Sequence, residues 1–398
     1  MSSRLLAGKL EFSSLYRQIV TLTISFCLLF MCALRTAEAG SIERVPFDAD
    51  HWMIDSPASL SSPEGFPLGM LTLPTGVADL KGAVFSQGTI EFDMKPIEEG
   101  IAGIRFHRKD SATAELLYLR AGSECPASND CIQYAPITHG LMQWDIYPQF
   151  QNGAPVSEHG WNHVRLIVAG HRLMVYINGQ SSPALDVERL RGDAETGGIE
   201  LSGPAVYANL TISSDVPAHP PALPQSPADR GIVHAWEATR PEPLPADKAP
   251  AAADIPVAGS VWEPVIAEEN GLVNLSHLFG TPTAPTPALS WLKTTVKSDR
   301  DQEVGVSVGW CRGLWVFVNG DPVYSGSNGY YPESERKYPD GRLALENQSL
   351  RLSLHKGNNT IVLAIGNRWK TNSGEIKSSR YGWGARMRLN DVRGLSWR

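Results

Sequence analysis

The sequence predicts an all-β chain of two antiparallel, jelly-roll-type β-sandwiches joined by a Pro/Ala-rich linker. Three observations carry that prediction. Short runs with period-two alternation fill two long stretches, turn residues separate the runs at close intervals, and between the stretches the composition shifts to proline and alanine. The 398 residues are 42% hydrophobic and 19% charged, with 36 Gly and 29 Pro, which excludes a generally disordered chain and leans away from long helical bundles. At roughly 100 to 200 residues per domain, this length suits two or three domains. The formal charge is -7, and no basic run exceeds two residues, so the electrostatic footprint of a nucleic-acid binder is missing.

In chain order, Arg4, Lys9 and Arg17 precede an apolar run over 19–34, and Ala37-Glu38-Ala39 supplies the small-x-small pattern that a signal peptidase reads. Residues 1–39 are therefore read as a secretory signal, with secretion to the periplasm or the outside of the cell as the consequence. The run is about 16 residues, short of the roughly 20 that span a bilayer core, and no later stretch approaches that length. After signal cleavage no transmembrane segment is expected. Three cysteines then remain. In an oxidising compartment Cys125 and Cys131, flanking Pro126 and Asn129-Asp130, suit a small disulfide-closed loop, while Cys311 reads as a buried structural thiol.

Residues 45–215 read as the first sandwich. Ile90, Phe92 and Met94 alternate with Glu91 and Asp93, and further strands are expected over 101–107, 116–120, 161–168, 173–177 and 198–201. Asn178-Gly179 supplies the positive φ angles of a tight hairpin turn. Residues 216–256 form the linker, whose proline density favours extended backbone around a short strand over 232–238, holding the domains apart or lying on their surfaces. Residues 257–398 read as the second sandwich, with strands over 292–296, 304–308, 314–318, 350–354, 360–365 and 384–389. There Val316-Phe-Val-Asn-Gly320 repeats the turn physics of Val175-Tyr-Ile-Asn-Gly179.

The segments Gly88-Thr-Ile-Glu-Phe-Asp93, Gly103-Ile-Arg-Phe106, Gln133-Tyr-Ala-Pro136, Gly160-Trp-Asn-His-Val164 and Val175-Tyr-Ile-Asn-Gly179 resemble the laminin-G-like bacterial branch of the concanavalin A-like lectin/glucanase superfamily over about 47–213. Glu269-Asn-Gly-Leu-Val-Asn-Leu-Ser276, Val316-Phe-Val-Asn-Gly320, Leu354-His-Lys-Gly-Asn358 and Tyr381-Gly-Trp-Gly384 resemble a galactose-binding-like jelly roll. Together they look like a poorly characterised family of secreted bacterial two-domain proteins. The resemblance implies recognition of a glycan or polysaccharide at the cell envelope. A polysaccharide-degrading enzyme, glycoside hydrolase or lyase, is the alternative, and a structural protein-interaction module the third. It implies no cofactor. Structural calcium is compatible with both superfamilies, although no Asp-rich loop demands it.

Glu91 and Asp93 begin the carboxylate pattern that retaining glycosidases of this superfamily carry on one strand. Lys95 and Pro96 stand where the acid should follow, so the motif is broken. Alternation places Arg105, His107, Tyr118 and Arg120 on one face; Gln133, Gln143 and Asp145 complete a candidate groove of guanidinium, amide and aromatic groups suited to sugar hydroxyls or uronate carboxylates. The competing reading of these seven residues is an ordinary solvated face. His107 with Tyr118 also suits the base and acid of a lyase, provided they converge. No metal site is expected, because the histidines at 139, 159, 163 and 171 lack paired spacing. Tyr330-Tyr331 and Tyr381-Gly-Trp383 lie in Gly-rich loops and are candidate sugar platforms, whereas Trp161 and Trp315 read as core.

Overall fold

A computed structural model describes residues 42–397 apart from 55–56, 123, 217–228, 246–247, 258–260, 281–286, 372 and 380; the expected signal segment and much of the expected linker lie outside the described residues. Strand makes up 52% of the chain and helix 4%, so the fold is all-β.

Residues up to Ser213 build two eight-stranded antiparallel sheets. The first is centred on Gly88–Pro96, flanked by Asn162–Ala169 and Ala205–Ser213. The second is centred on the hairpin Gly100–Asp110 and Thr113–Ala121, flanked by Ile132–Thr138 and Gly198–Ser202. The alternation read from the sequence is what packs them. Ile90, Phe92 and Met94 from the first sheet meet Ile104, Phe106, Leu117 and Leu119 from the second, all at 1% exposure or less. Each such side chain contributes roughly 1.5–3 kcal/mol of burial. Asn178 and Gly179 take φ of 51° and 73°, the two left-handed values that a two-residue hairpin turn requires. The Asn178 side-chain oxygen also accepts the His163 N–H at 2.8 Å.

Of the remaining strands, eleven form a sheet folded over its own core, and Arg368–Lys370 pairs with Ile376–Ser378 in a separate two-stranded sheet. The spine of the larger sheet is the 17-residue strand Gln302–Val318. The first part of that strand pairs with Gln348–Leu354 and Gly384–Leu389, the second with Asp321–Asn328 and Gly357–Gly366, so one strand serves both layers. Val304, Val306, Val308 and Trp310 face the same core as Leu314, Val316 and Val318. The register crosses at Arg312, whose φ is +81°. Asn319-Gly320 repeats the Asn178-Gly179 turn, the Asn319 oxygen accepting the Thr360 N–H at 2.9 Å. Ala235–Ala238, the short strand expected within the linker, is hydrogen-bonded into this sheet between Glu263–Ile266 and Ala288–Ser298.

From Ile42 onward the chain packs as one unit. Leu272, Cys311 and Leu343, from the second half, belong to the core of the first. Asn274 donates to the Gln143 side-chain oxygen at 2.7 Å and Tyr147 Oη donates to Glu268 at 2.5 Å, so polar groups as well as apolar ones lock the halves together. Trp161 differs from the expectation: it precedes its strand, is 37% exposed and lies against Phe66 at the surface. Trp315 is buried.

Candidate functional site

The alternation argument places the outward residues of the second sheet correctly but leaves out what covers them. Tyr118 points away from the sandwich core, yet it is buried with Leu116, Ala135 and Ile137 beneath Met142 and Trp144. Its hydroxyl donates to the Gln133 side-chain oxygen, and burial pushes the phenol well above its ordinary range. The expected open groove is thus a packed inner layer. Gln133, Gln143 and Asp145 are fully buried, and Gln143 donates to Thr138 while accepting from Asn274. Asp145 pairs with Arg312, which also donates to Ser379 Oγ at 2.9 Å. Arg105 and Arg108 both engage the Glu200 carboxylate, and Arg120 pairs with Asp130 at 3.1 Å, so none of these guanidiniums is uncommitted.

His107 leaves the set altogether. A register irregularity after Phe106 and a φ of +49° remove it from the alternation, and it is buried with Nε2 against the Ser86 carbonyl at 2.8 Å. Tyr118 stands opposite Gly103 while His107 lies beyond the Phe106–Glu115 pair. The two therefore do not converge as an acid and base. Cys125 and Cys131 are joined in the expected disulfide, and Cys311 is a buried free thiol, pushed far above its ordinary range by burial. On the opposite, exposed face, His163 Nδ1 meets Asp93 at 2.8 Å and His163 Nε2 lies 3.6 Å from Glu91. The broken carboxylate motif is bridged by an imidazole. Among the described residues no group of three or more His, Cys, Asp or Glu is placed to hold a metal ion.

Over the buried layer lies a connected set of partly exposed rings. Trp144 meets Tyr330 edge-on at 5.4 Å and Tyr381 at 5.8 Å, Tyr330 meets Tyr331 at 4.7 Å, and Trp369 approaches Tyr381 at 6.4 Å. Four separate segments supply these five rings, Tyr330 and Tyr331 being neighbours on one loop. Trp144 follows the hairpin from Ile132–Thr138 into Leu141–Met142, whose turn His139-Gly140 takes two left-handed φ values. The loop carrying Tyr330 and Tyr331 is pinned by two buried amides: Asn328 donates to the Trp310 carbonyl at 2.7 Å, and Asn347 donates to the Tyr338 carbonyl at 2.7 Å. The same loop needs Gly341, where φ is +75° and a Cβ would sit 2.4 Å from the Gly329 carbonyl oxygen. Trp369, on the hairpin strand Arg368–Lys370, donates from Nε1 to the Tyr331 carbonyl at 3.1 Å. Tyr331 is 49% exposed, the most open of the five. Arg336 stacks over Tyr330 at 4.5 Å and Arg342 over Trp144 at 4.9 Å.

The sequence readings pointed to Tyr330, Tyr331 and Tyr381, and the structure unites them. Trp383, flagged with Tyr381, is instead core and donates to the Gly280 carbonyl at 3.2 Å.

A cavity elsewhere in the molecule was not anticipated. A cavity of about 620 Å³ opens where the 189–195 turn faces the 265–278 segment. Glu115 forms part of its wall; it accepts from Tyr134 Oη at 2.6 Å and from the Gly192 N–H at 3.0 Å, and burial pushes its carboxyl up to about 7. Gly192 lets the backbone approach closely, since a Cβ would lie 2.7 Å from the carboxylate and would displace it. Arg191 binds Glu268 at 3.2 Å and Glu269 at 2.9 Å, and Asp193 meets His277 at 2.9 Å. A signal for Glu115 was present in the sequence: it occupies the inward parity of a strand whose next inward residues are Leu117 and Leu119.

No protein-family model matches the chain, and no curated protein matches it. Among solved structures, it is similar to a carbohydrate-binding module from Bacillus subtilis (14% identity, 45% of this chain and 95% of that one, TM-score 0.27). It is also similar to a β-glucanase from Bacillus licheniformis (11%, 45% and 100%, 0.30) and a galectin from Caenorhabditis elegans (13%, 41% and 99%, 0.27). At these TM-scores none of the three bears on what the chain does.

Proposed function

We propose that the protein is a secreted or periplasmic, lectin-like glycan-binding protein whose ligand lies on the ring cluster of Trp144, Tyr330, Tyr331, Trp369 and Tyr381. The observation that carries this reading is the gathering of five rings from distant segments into one partly exposed set. Rings buried for stability alone would be sealed, as Trp291, Trp310 and Trp383 are. Edge-to-face contacts and backbone hydrogen bonds hold the rings, which gives the rigid amphipathic surface that the apolar face of a sugar covers.

The charge balance narrows the ligand class. The guanidiniums that stack on the cluster each have a carboxylate, Arg336 having Glu333 at 3.6 Å and Arg342 having Asp340 at 3.2 Å, and Arg120, over the buried Tyr118, has Asp130. Among the described residues, the two guanidiniums stacked on this cluster are therefore committed and not left over for a uronate or sulfate. The ligand is accordingly a neutral glycan.

The test is a glycan-array screen of the full chain with mass spectrometry of any bound glycan after incubation. Binding of intact neutral glycans, accompanied by tryptophan quenching and lost in Tyr331→Ala with Trp369→Ala, is the expected result. Cleaved products would replace this reading with the enzyme reading, and silence across a broad array would move the weight to a protein partner.

A further inference from the structure

One edge of Ala288–Ser298 is paired along nearly its whole length by Gly357–Gly366, but the other edge is shared between two short strands. Ala235–Ala238 pairs there at Leu292 and Lys293, and Leu395–Trp397 pairs from Val296 to Ser298. Between them, at Thr294 and Thr295, no strand among the described residues completes the edge, and the Thr294 hydroxyl donates to the Ala235 carbonyl at 3.0 Å instead. A cavity of about 630 Å³ opens at this gap, a volume in the range of small-molecule sites. It shares no residue with the ring cluster or with the cavity beside the 189–195 turn.

The alternation of Ala288–Ser298 decides which side chains reach the space. Leu292, Thr294 and Val296 are buried, so Thr295 and Lys297 point to the opposite, open face. Register then sets Lys297 in a row, with Ser396 directly across from it on one side and Asn358 on the other. Directly opposed Cβ atoms lie about 4.5–5.5 Å apart, so a hydroxyl, an ammonium and an amide come within reach of one small group. Thr295, two residues back on the same face, adds a second hydroxyl. All four side chains are exposed, and among the described residues none of them makes a hydrogen bond or an ion pair.

The charges of the lining leave one cation over. Glu237 is bound by Lys293 at 2.8 Å, and Lys293 also lies over the Trp262 ring at 4.4 Å, whereas Lys297 has no countercharge. Each of the four uncommitted groups can donate a hydrogen bond, and Lys297 can only donate. The half-buried Trp397 supplies an apolar wall, its ring held by a bond from Nε1 to the Ile232 carbonyl at 3.4 Å.

We propose that this gap binds the carboxylate of an acidic sugar, a uronate, with Lys297 supplying the countercharge, Ser396 and Asn358 donating to the carboxylate oxygens and Trp397 offering apolar surface to the sugar ring. A single cation flanked by neutral donors matches a single negative charge; the second charge of a phosphate would go unpaired. The cavity is much larger than a carboxylate, which leaves room for the pyranose body. The proposal does not depend on the ring cluster binding glycan.

The experiment is calorimetric titration of the full chain with D-glucuronate, D-glucose and glucose 6-phosphate at pH 7 and low salt. Glucuronate is expected to bind about tenfold or more tightly than either of the others, since only it brings one matched charge. Lys297→Gln should weaken glucuronate by about tenfold without lowering the melting temperature, its side chain being exposed, and Lys297→Arg, which keeps the charge, should restore most of the affinity. Asn358→Ala should weaken it severalfold, and Tyr331→Ala should leave it unchanged, which separates this site from the rings. Absence of glucuronate binding overturns the proposal, as does glucose binding equally well, glucose 6-phosphate binding more tightly, or full affinity in Lys297→Gln.

Discussion

The ring cluster and the cavity beside the 189–195 turn, both formed where the halves of the chain meet, are opposites in construction. At the rings, both stacking guanidiniums, Arg336 and Arg342, have a carboxylate, so the surface offers mainly shape and apolar area. At the cavity, carboxyls outnumber guanidiniums, and burial has already displaced Glu115 and Glu268 upward. The contrast teaches that one interface can present two kinds of surface, one dominated by aromatic area and one by carboxyls whose charge depends on pH and salt.

The sharpest way to break this comparison is at the Asp145–Arg312 pair beneath the rings. Both partners are buried, so removing one strands the other's charge; Arg312→Ala should cost about 3–5 kcal/mol in denaturant unfolding. A loss below about 1 kcal/mol would mean that the layer under the rings is not held electrostatically.

Next in size is the pH dependence of stability. The folded chain keeps a proton on Glu115 up to about 7, whereas an unfolded glutamate loses it near 4.5. Between those values the folded state binds more protons, so stability falls as pH rises through the window and levels off above it. The expected loss from this one group is about 3 kcal/mol. Glu115→Gln should flatten that part of the profile in unfolding measurements from pH 4.5 to 8; an unaltered slope would show that Glu115 titrates normally.

Trp369→Ala should weaken neutral glycan binding by about tenfold, near 1.4 kcal/mol, without lowering the melting temperature, because its ring is partly exposed. The smallest effect sharpens the contrast most directly. Raising salt from 0.05 to 0.5 M should leave glycan affinity within about twofold. A severalfold loss would mean that ion pairing, and not ring stacking, holds the glycan.

The strands were legible because burial on one face of a pleat writes a period of two, as at Ile90, Phe92 and Met94, and because Asn-Gly turns need only local φ values. The candidate site was legible in part. Tyr118, Arg120 and Arg105 do point away from the first core, yet period two reports which side a residue faces and is silent about a third layer laid over that side. His107 escaped because a single irregularity reverses parity. Arg191, Asp193, Glu268 and His277 carry no local pattern at all; their charges matter only because two segments some 80 residues apart close on one cavity.

The sequence by itself therefore determined the all-β class, the turns, the inner faces of the strands and the nearby Cys125–Cys131 pair, since each depends on neighbours within a few residues. Only the tertiary structure decided that the expected groove is sealed by Trp144 and the second half, that five rings from four separate segments form one surface, and that carboxyls gather in one cavity. Those outcomes depend on contacts between segments far apart in the chain, and the energies of such contacts leave no periodic trace in the order of residues.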